Sequence, residues 1–119
     1  MHKNTQLGSQ AEELVALQLT KKGFAIMELN YKQKFGEIDV IARKDSLLIF
    51  VEVKMRTNNH FDLAEVITHS KQQKIIRTAS HYLAYNKYED SECRFDVALV
   101  QLENNMPQIT YIPNAFEKE

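Results

Sequence analysis

The chain has 119 residues, 44% of them apolar and 26% charged, and a formal net charge of −1. That length suits one domain with a real core over residues 1–119, and the composition is ordinary for a soluble globular protein. The near-zero charge weighs against a uniform electrostatic coat for nucleic acid, though not against a local basic patch. No apolar run approaches the roughly 18 residues of a membrane span, and the lone cysteine, Cys93, excludes an internal disulfide. With no apolar segment of signal-peptide type in residues 1–6, a cytoplasmic location is expected.

Residues 5–22 read as a helix, because Leu7, Ala11, Leu14, Val15 and Leu19 recur at three- and four-residue spacing, and Gly23 suits the position after the last turn. At about 100° per residue, Glu12 falls on the flank of this stripe and Glu13 on the wet face. Taken alone, Glu12 is a carboxylate near the positive end of a helix. Residues 24–31 read as a short strand and 32–34 as a polar connection. A hairpin follows over residues 35–56, with its turn within Arg43-Lys44-Asp45-Ser46. In the first arm, period-two alternation puts Glu37, Asp39 and Ile41 on one face and Ile38, Val40 and Ala42 on the other. In the second arm Leu48, Phe50, Glu52, Lys54 and Arg56 share a face. The opposite face, Leu47, Ile49, Val51, Val53 and Met55, is uniformly apolar and should carry core packing.

Residues 57–60 read as a loop and 63–67 as a short helical turn. Ser70 suits the N-cap of a helix reaching about Asn86, with Ile75, Ile76, Ala79, Tyr82 and Leu83 on its apolar face. Lys71, Lys74 and Arg77 lie near its start or on its exposed side. Cations in a first turn oppose the helix dipole, a hint that Lys71 serves something other than the helix. Residues 93–102 form a strand, 103–107 a turn and 108–112 a last strand, followed by a frayed tail. The order α-β-β-β-α-β-β describes an α/β sandwich with a central mixed sheet flanked by helices.

The charges inside the hairpin need a reason, since mid-strand charges carry a desolvation cost unless they face water, a partner or a metal. Mg²⁺ or Mn²⁺ takes oxygen ligands, and Mg²⁺ in particular is commonly held by one or two carboxylates with water and substrate phosphate in the remaining positions. Asp39 and Glu52 on adjacent strands can supply the carboxylates, and the carbonyl of Val53 lies between Glu52 and Lys54. A lysine beside metal-bound water can orient it and offset charge developing on a phosphate. Alone, the segment from Phe50 to Arg56 reads first as an amphipathic strand with one solvated face; Glu12 on the flank of the preceding helix is what turns the reading toward a site. Asp39 shares a side with Glu52 only if the turn has an even number of residues; a three-residue loop would separate them.

The pattern Asp39…Glu52-x-Lys54 resembles the motif of the PD-(D/E)xK nuclease superfamily, with its restriction-endonuclease-like fold. The chain as a whole resembles the YraN family of small bacterial proteins. The matching pieces are Gly8…Glu12 with Leu19 and Gly23, Asn30-Tyr31, residues 35–39, Val51-Glu52-Val53-Lys54-x-Arg56, Glu65-Val66, Lys71 and residues 94–97. That family is similar in core to archaeal Holliday-junction resolvases. The resemblance implies Glu12, Asp39 and Glu52 as metal ligands and Lys54 as the catalytic lysine. Two positions depart from the pattern: Phe61-Asp62 stands where the family has Phe-Gly, and Ile38 where the superfamily has proline.

The expected activity is Mg²⁺-dependent hydrolysis of DNA phosphodiester bonds by Asp39, Glu52 and Lys54, with branched DNA in repair or recombination as a candidate substrate. Arg56 and Lys71 are the candidates for the DNA backbone. The competing expectation is a nucleic-acid-binding module of the same fold without turnover. Resolvases of this kind act as dimers because a junction offers two symmetric strands, which keeps a homodimer among the expectations. Arg94 and Asp96, two apart on one strand face, read as a structural ion pair. Tyr31 and Phe35 read as packing aromatics before base-stacking ones.

Overall fold

The computed structural model describes residues 2–56 and 62–118, with side chains from Gly8 onward. The loop expected over residues 57–60, and with it His60, Phe61 and the side chains of His2 and Leu7, lies outside the described residues. The elements are α1 (His2–Lys21), β1 (Ala25–Gln33), β2 (Gly36–Lys44), β3 (Leu47–Arg56), α2 (Leu63–Val66), α3 (His69–Tyr85), β4 (Glu92–Glu103) and β5 (Met106–Phe116). The strands form one sheet in the order β1-β2-β3-β4-β5. β3 and β4 run parallel and every other neighbouring pair antiparallel, so the sheet is mixed. The β3–β4 connection carries α2 and α3, as a parallel crossover must. Among the described residues no helix is long and apolar enough to cross a membrane.

Both faces of the sheet are covered. On one, Ala11, Val15 and Leu19 of α1 bury against Val40, Ala42, Ile49, Val51, Ala98 and Val100. On the other, Val66, Ile67, Ile75, Ile76, Ala79 and Tyr82 bury against Ile41, Leu48, Phe50, Val97 and Leu99. Burial on both faces explains the near-continuous apolar run of β3, and the apolar side expected from Leu47 to Met55 is the one that meets α1. Ile38 is the exception to the alternation. It packs with the α3-side cluster, not with Val40 and Ala42. The cause is local: the β2–β3 ladder ends at Val40↔Val51, and β2 departs from β3 at Asp39.

Boundaries depart from the sequence expectation most clearly at three places. The N-cap of α3 is Thr68, not Ser70: Thr68 has an extended backbone and its hydroxyl accepts the Lys71 N–H at 3.2 Å, while Ser70 is already helical. β1 continues through Lys32 to Gln33, bending at a bulge between Ile26 and Glu28. β5 runs to Phe116, where a frayed tail was expected. An edge strand tolerates Pro107 and Pro113, and Phe116 stacks on Phe95 with centroids 5.1 Å apart.

Gly36 sets how closely α3 approaches β2. A Cβ there would lie 2.6 Å from the Thr78 hydroxyl and 3.1 Å from the Lys74 carbonyl. The missing side chain lets the start of β2 press against α3, which shapes the cleft described next.

Candidate active site

Asp45-Ser46 forms a two-residue turn between Lys44 and Leu47, with Asp45 in the left-handed region at φ 55°. The even count satisfies the register condition. One step past Val40↔Val51, Asp39 stands across from Glu52. There the carboxylate replaces the backbone ladder: Asp39 Oδ2 accepts the Val53 N–H at 2.8 Å. Asp39 is thereby held at the fork where the two strands part.

Glu12, from α1, and Glu52, from β3, are both neighbours of Asp39. Each is held well above the usual carboxylate range. Burial pushes Glu12 up to about 7, with repulsion from Asp39 adding to it and a hydrogen bond from Asn30 opposing it. Burial pushes Glu52 up to about 8, again with Asp39 adding, while Lys71 and Lys54 oppose. In both cases desolvation and like charge act in the same direction. Lys71 Nζ lies 3.8 Å from Glu52 Oε2, and burial and the neighbouring Lys54 lower its pKa.

The acids are spread over two adjoining cavities. One, of about 410 Å³, is lined by Gly8, Ser9, Glu12, Asn30, Lys32, Glu37 and Asp39. The other, of about 190 Å³, is lined by Gly36, Glu37, Glu52, Lys71, Lys74 and Ile75. Glu37 borders both. Among the described residues no three or more His, Cys, Asp or Glu side chains are arranged as a ready ligand set. The donor chemistry still fits a hard divalent ion, since the neighbouring groups are oxygen donors whose mutual repulsion a cation would relieve.

The residues singled out from sequence thus divide. Glu12, Asp39, Glu52, Lys54 and Lys71 come together. Arg56 lies at the C-terminal end of β3, half-buried and opposite Gln101, where the described residues break off. Arg94 and Asp96 form the expected structural pair. Arg94 Nε meets Asp96 Oδ1 at 3.0 Å, and Asp96, fully buried, also accepts from the Tyr111 hydroxyl and the Asn114 N–H.

Two residues of the site escaped the sequence reading. Asn30 has φ 55°, and the pairs on either side, Leu29↔Val40 and Tyr31↔Ile38, put it opposite Asp39. The signal was its type, since asparagine tolerates the left-handed region that most residues avoid. Lys74 lines the cleft one turn beyond Lys71, where three-residue spacing on a helix places a neighbour.

A family model described as "Uncharacterised protein family UPF0102" matches residues 11–100, which include Glu12, the whole hairpin and Lys71. The chain belongs to the UPF0102 (YraN) family. A UPF0102 protein of Nitrosomonas europaea is 44% identical over 112 residues, covering 93% of each chain. One from Geobacter metallireducens is 40% identical over 115 residues, covering 96% of this chain and 94% of its own. Another, from Nitrosospira multiformis, is 43% identical over 111 residues and 92% of each chain. The α/β fold of this UPF0102 member, a mixed sheet between helices, is consistent with a restriction-endonuclease-like architecture.

Proposed function

We propose that this chain is a metal-dependent endonuclease that hydrolyses DNA phosphodiester bonds. The observation that carries the proposal is the place of Asp39, fixed by the Val53 amide between Glu12 and Glu52, with Lys54 and Lys71 beside them. Glu12, Asp39 and Glu52 would hold Mg²⁺ or Mn²⁺. Such an ion supplies Lewis-acid polarisation of a phosphate oxygen and a bound water of lowered pKa. Lys54 orients the attacking water and offsets charge developing on the phosphate. Lys71, freed from Glu52, and Arg56 hold the DNA backbone on either side. Branched DNA and a homodimer matching its two symmetric strands rest on the likeness to junction resolvases.

One observation favours the second reading, a DNA-binding module without turnover: among the described residues the acids are not preassembled as a ligand set. A cleavage panel of four-way, flap and linear DNA in Mg²⁺ and in Mn²⁺ separates the two. The nuclease reading expects products from at least one substrate and none in chelator. Binding with no product from any substrate in either metal would establish the module instead.

A further inference from the structure

We propose that the surface continuing from the cleft along α3 binds an unpaired nucleotide of a single-stranded DNA arm. The proposal rests on the nuclease reading for the strand's course but on separate residues for its recognition. Lys74, Arg77, His81 and Tyr85 follow one another at three, four and four residues, so they lie along one side of the helix, with Thr78 buried beneath Gly36 beside them. Lys74 belongs to the cleft. His81 and Tyr85 border a second concavity of about 300 Å³, lined with Glu28, Tyr31, Gln33 and Asn86. Seven residues of helix put His81 about 10 Å beyond Lys74.

The character of this side changes along that distance. Lys71 and Lys74 line the cleft, and the Arg77 guanidinium sits 4.4 Å above the Phe35 ring. Phe35 meets His81 edge-on at 5.9 Å, and His81 lies parallel to Tyr85 with centroids 6.1 Å apart and planes 7° from parallel. The His81 ring is oriented by Tyr31, whose hydroxyl lies 2.9 Å from Nδ1. Tyr31 and Phe35 have a packing role between β1–β2 and α3. Tyr85 does not: it is 78% exposed, its ring parallel to His81 but with centroids 6.1 Å apart.

Charge selects the occupant. Among the described residues no lysine or arginine lines the Tyr85 concavity, whose polar groups come from Glu28, Gln33, Asn86, Tyr31 and His81. A phosphate is repelled by Glu28, whereas a base offers a flat face to Tyr85 and amino groups to carboxylate and amide oxygens. The cations Lys71, Lys74 and Arg77 lie toward the cleft, where the backbone phosphates would run. Cations tracking the backbone beside aromatic rings that accept bases is the arrangement by which proteins hold single strands.

The test is binding of the full chain, in EDTA and at one low ionic strength, to a blunt duplex and to the same duplex carrying a 3′ or 5′ unpaired arm with 2-aminopurine in it. The wild type should prefer an armed duplex and quench the 2-aminopurine. Tyr85→Ala should weaken armed binding about 5- to 100-fold, abolish the quench, and leave blunt-duplex affinity within about twofold, since its phosphate contacts are untouched. Tyr85→Trp should restore both. Equal affinity of the wild type for armed and blunt duplexes, or a preference and quench that survive Tyr85→Ala, would overturn the proposal. Arm binding without cleavage under any metal leaves it standing and defeats the nuclease reading. Cleavage with no arm preference does the reverse.

Discussion

Asp39 and Val53 are joined by a 2.8 Å hydrogen bond from a backbone amide to a side-chain carboxylate, at the point where β2 and β3 separate. The bond gives Asp39 a structural task and a chemical one together. It satisfies an amide that the ended ladder would leave without a strand partner, and it holds a carboxylate against two others. Asp39→Asn keeps an acceptor for Val53 but removes the charge. The thermal midpoint should stay within a few degrees, while Mg²⁺ affinity measured by calorimetry falls more than about tenfold, or about 1.4 kcal/mol. Unchanged affinity would remove Asp39 from the ligand set.

Stability without metal should fall as pH rises from about 4.5 to about 8. The sign follows from linkage. Glu12 and Glu52 have ordinary values of 4.5 when unfolded and are raised to about 7 and about 8 when folded. Within that window the folded chain keeps protons that the unfolded chain has lost, so raising the pH favours unfolding. Glu52→Gln should flatten the upper part of the slope. Mg²⁺ should raise the melting temperature at pH 8 and have little effect at pH 4.5. Melting curves at several pH values in chelator, repeated with Mg²⁺, measure both; a metal-free stability that rises over this range would contradict the assignment.

How much of this was legible beforehand depended on whether local geometry decided it. Glu52 and Lys54 share a face because strands have period two, and the two-residue turn brought Asp39 into register with them. Glu12 was placed by counting around a helix. Ile38 and Asn30 were not legible, because the fork at Asp39 breaks the alternation and a left-handed residue in a strand leaves only a faint trace in composition. The length of β5 was hidden because Pro107 falls in the expected turn and Pro113 in the expected tail, yet an edge strand accommodates both. The split of the acids between two cavities depends on how α1 and α3 approach the sheet, which no spacing along the chain encodes.

The approach of α3 can be tested at Gly36. Gly36→Ala forces a methyl within 2.6 Å of the Thr78 hydroxyl and 3.1 Å of the Lys74 carbonyl. Overpacking of this kind should cost about 1–3 kcal/mol, read as a lower urea midpoint at unchanged slope. Adding Thr78→Ala should recover part of the loss, because it removes the nearer contact. A neutral Gly36→Ala would mean that α3 stands farther from β2.

Asp96 separates structural from functional charge. Asp96→Ala leaves Arg94, the Tyr111 hydroxyl and the Asn114 amide without their common acceptor. The expected loss is about 2–4 kcal/mol in chemical denaturation, held below the full cost of breaking a buried pair because Arg94 is partly exposed. Mg²⁺ affinity of the folded variant should be unchanged. A variant of wild-type stability that loses metal would place Asp96 in the site.

On the proposed function, the fork at Asp39 is where DNA is cut. The most direct measurement of this is cleavage of four-way, flap and linear DNA in Mg²⁺ by the wild type, Asp39→Ala and Lys54→Ala, with circular dichroism confirming that each variant is folded. Metal-dependent product is expected from the wild type, with a fall of roughly 10²–10³-fold or more in both folded variants. Cleavage that survives both substitutions, or a wild type that cuts none of the substrates, would contradict the proposed function.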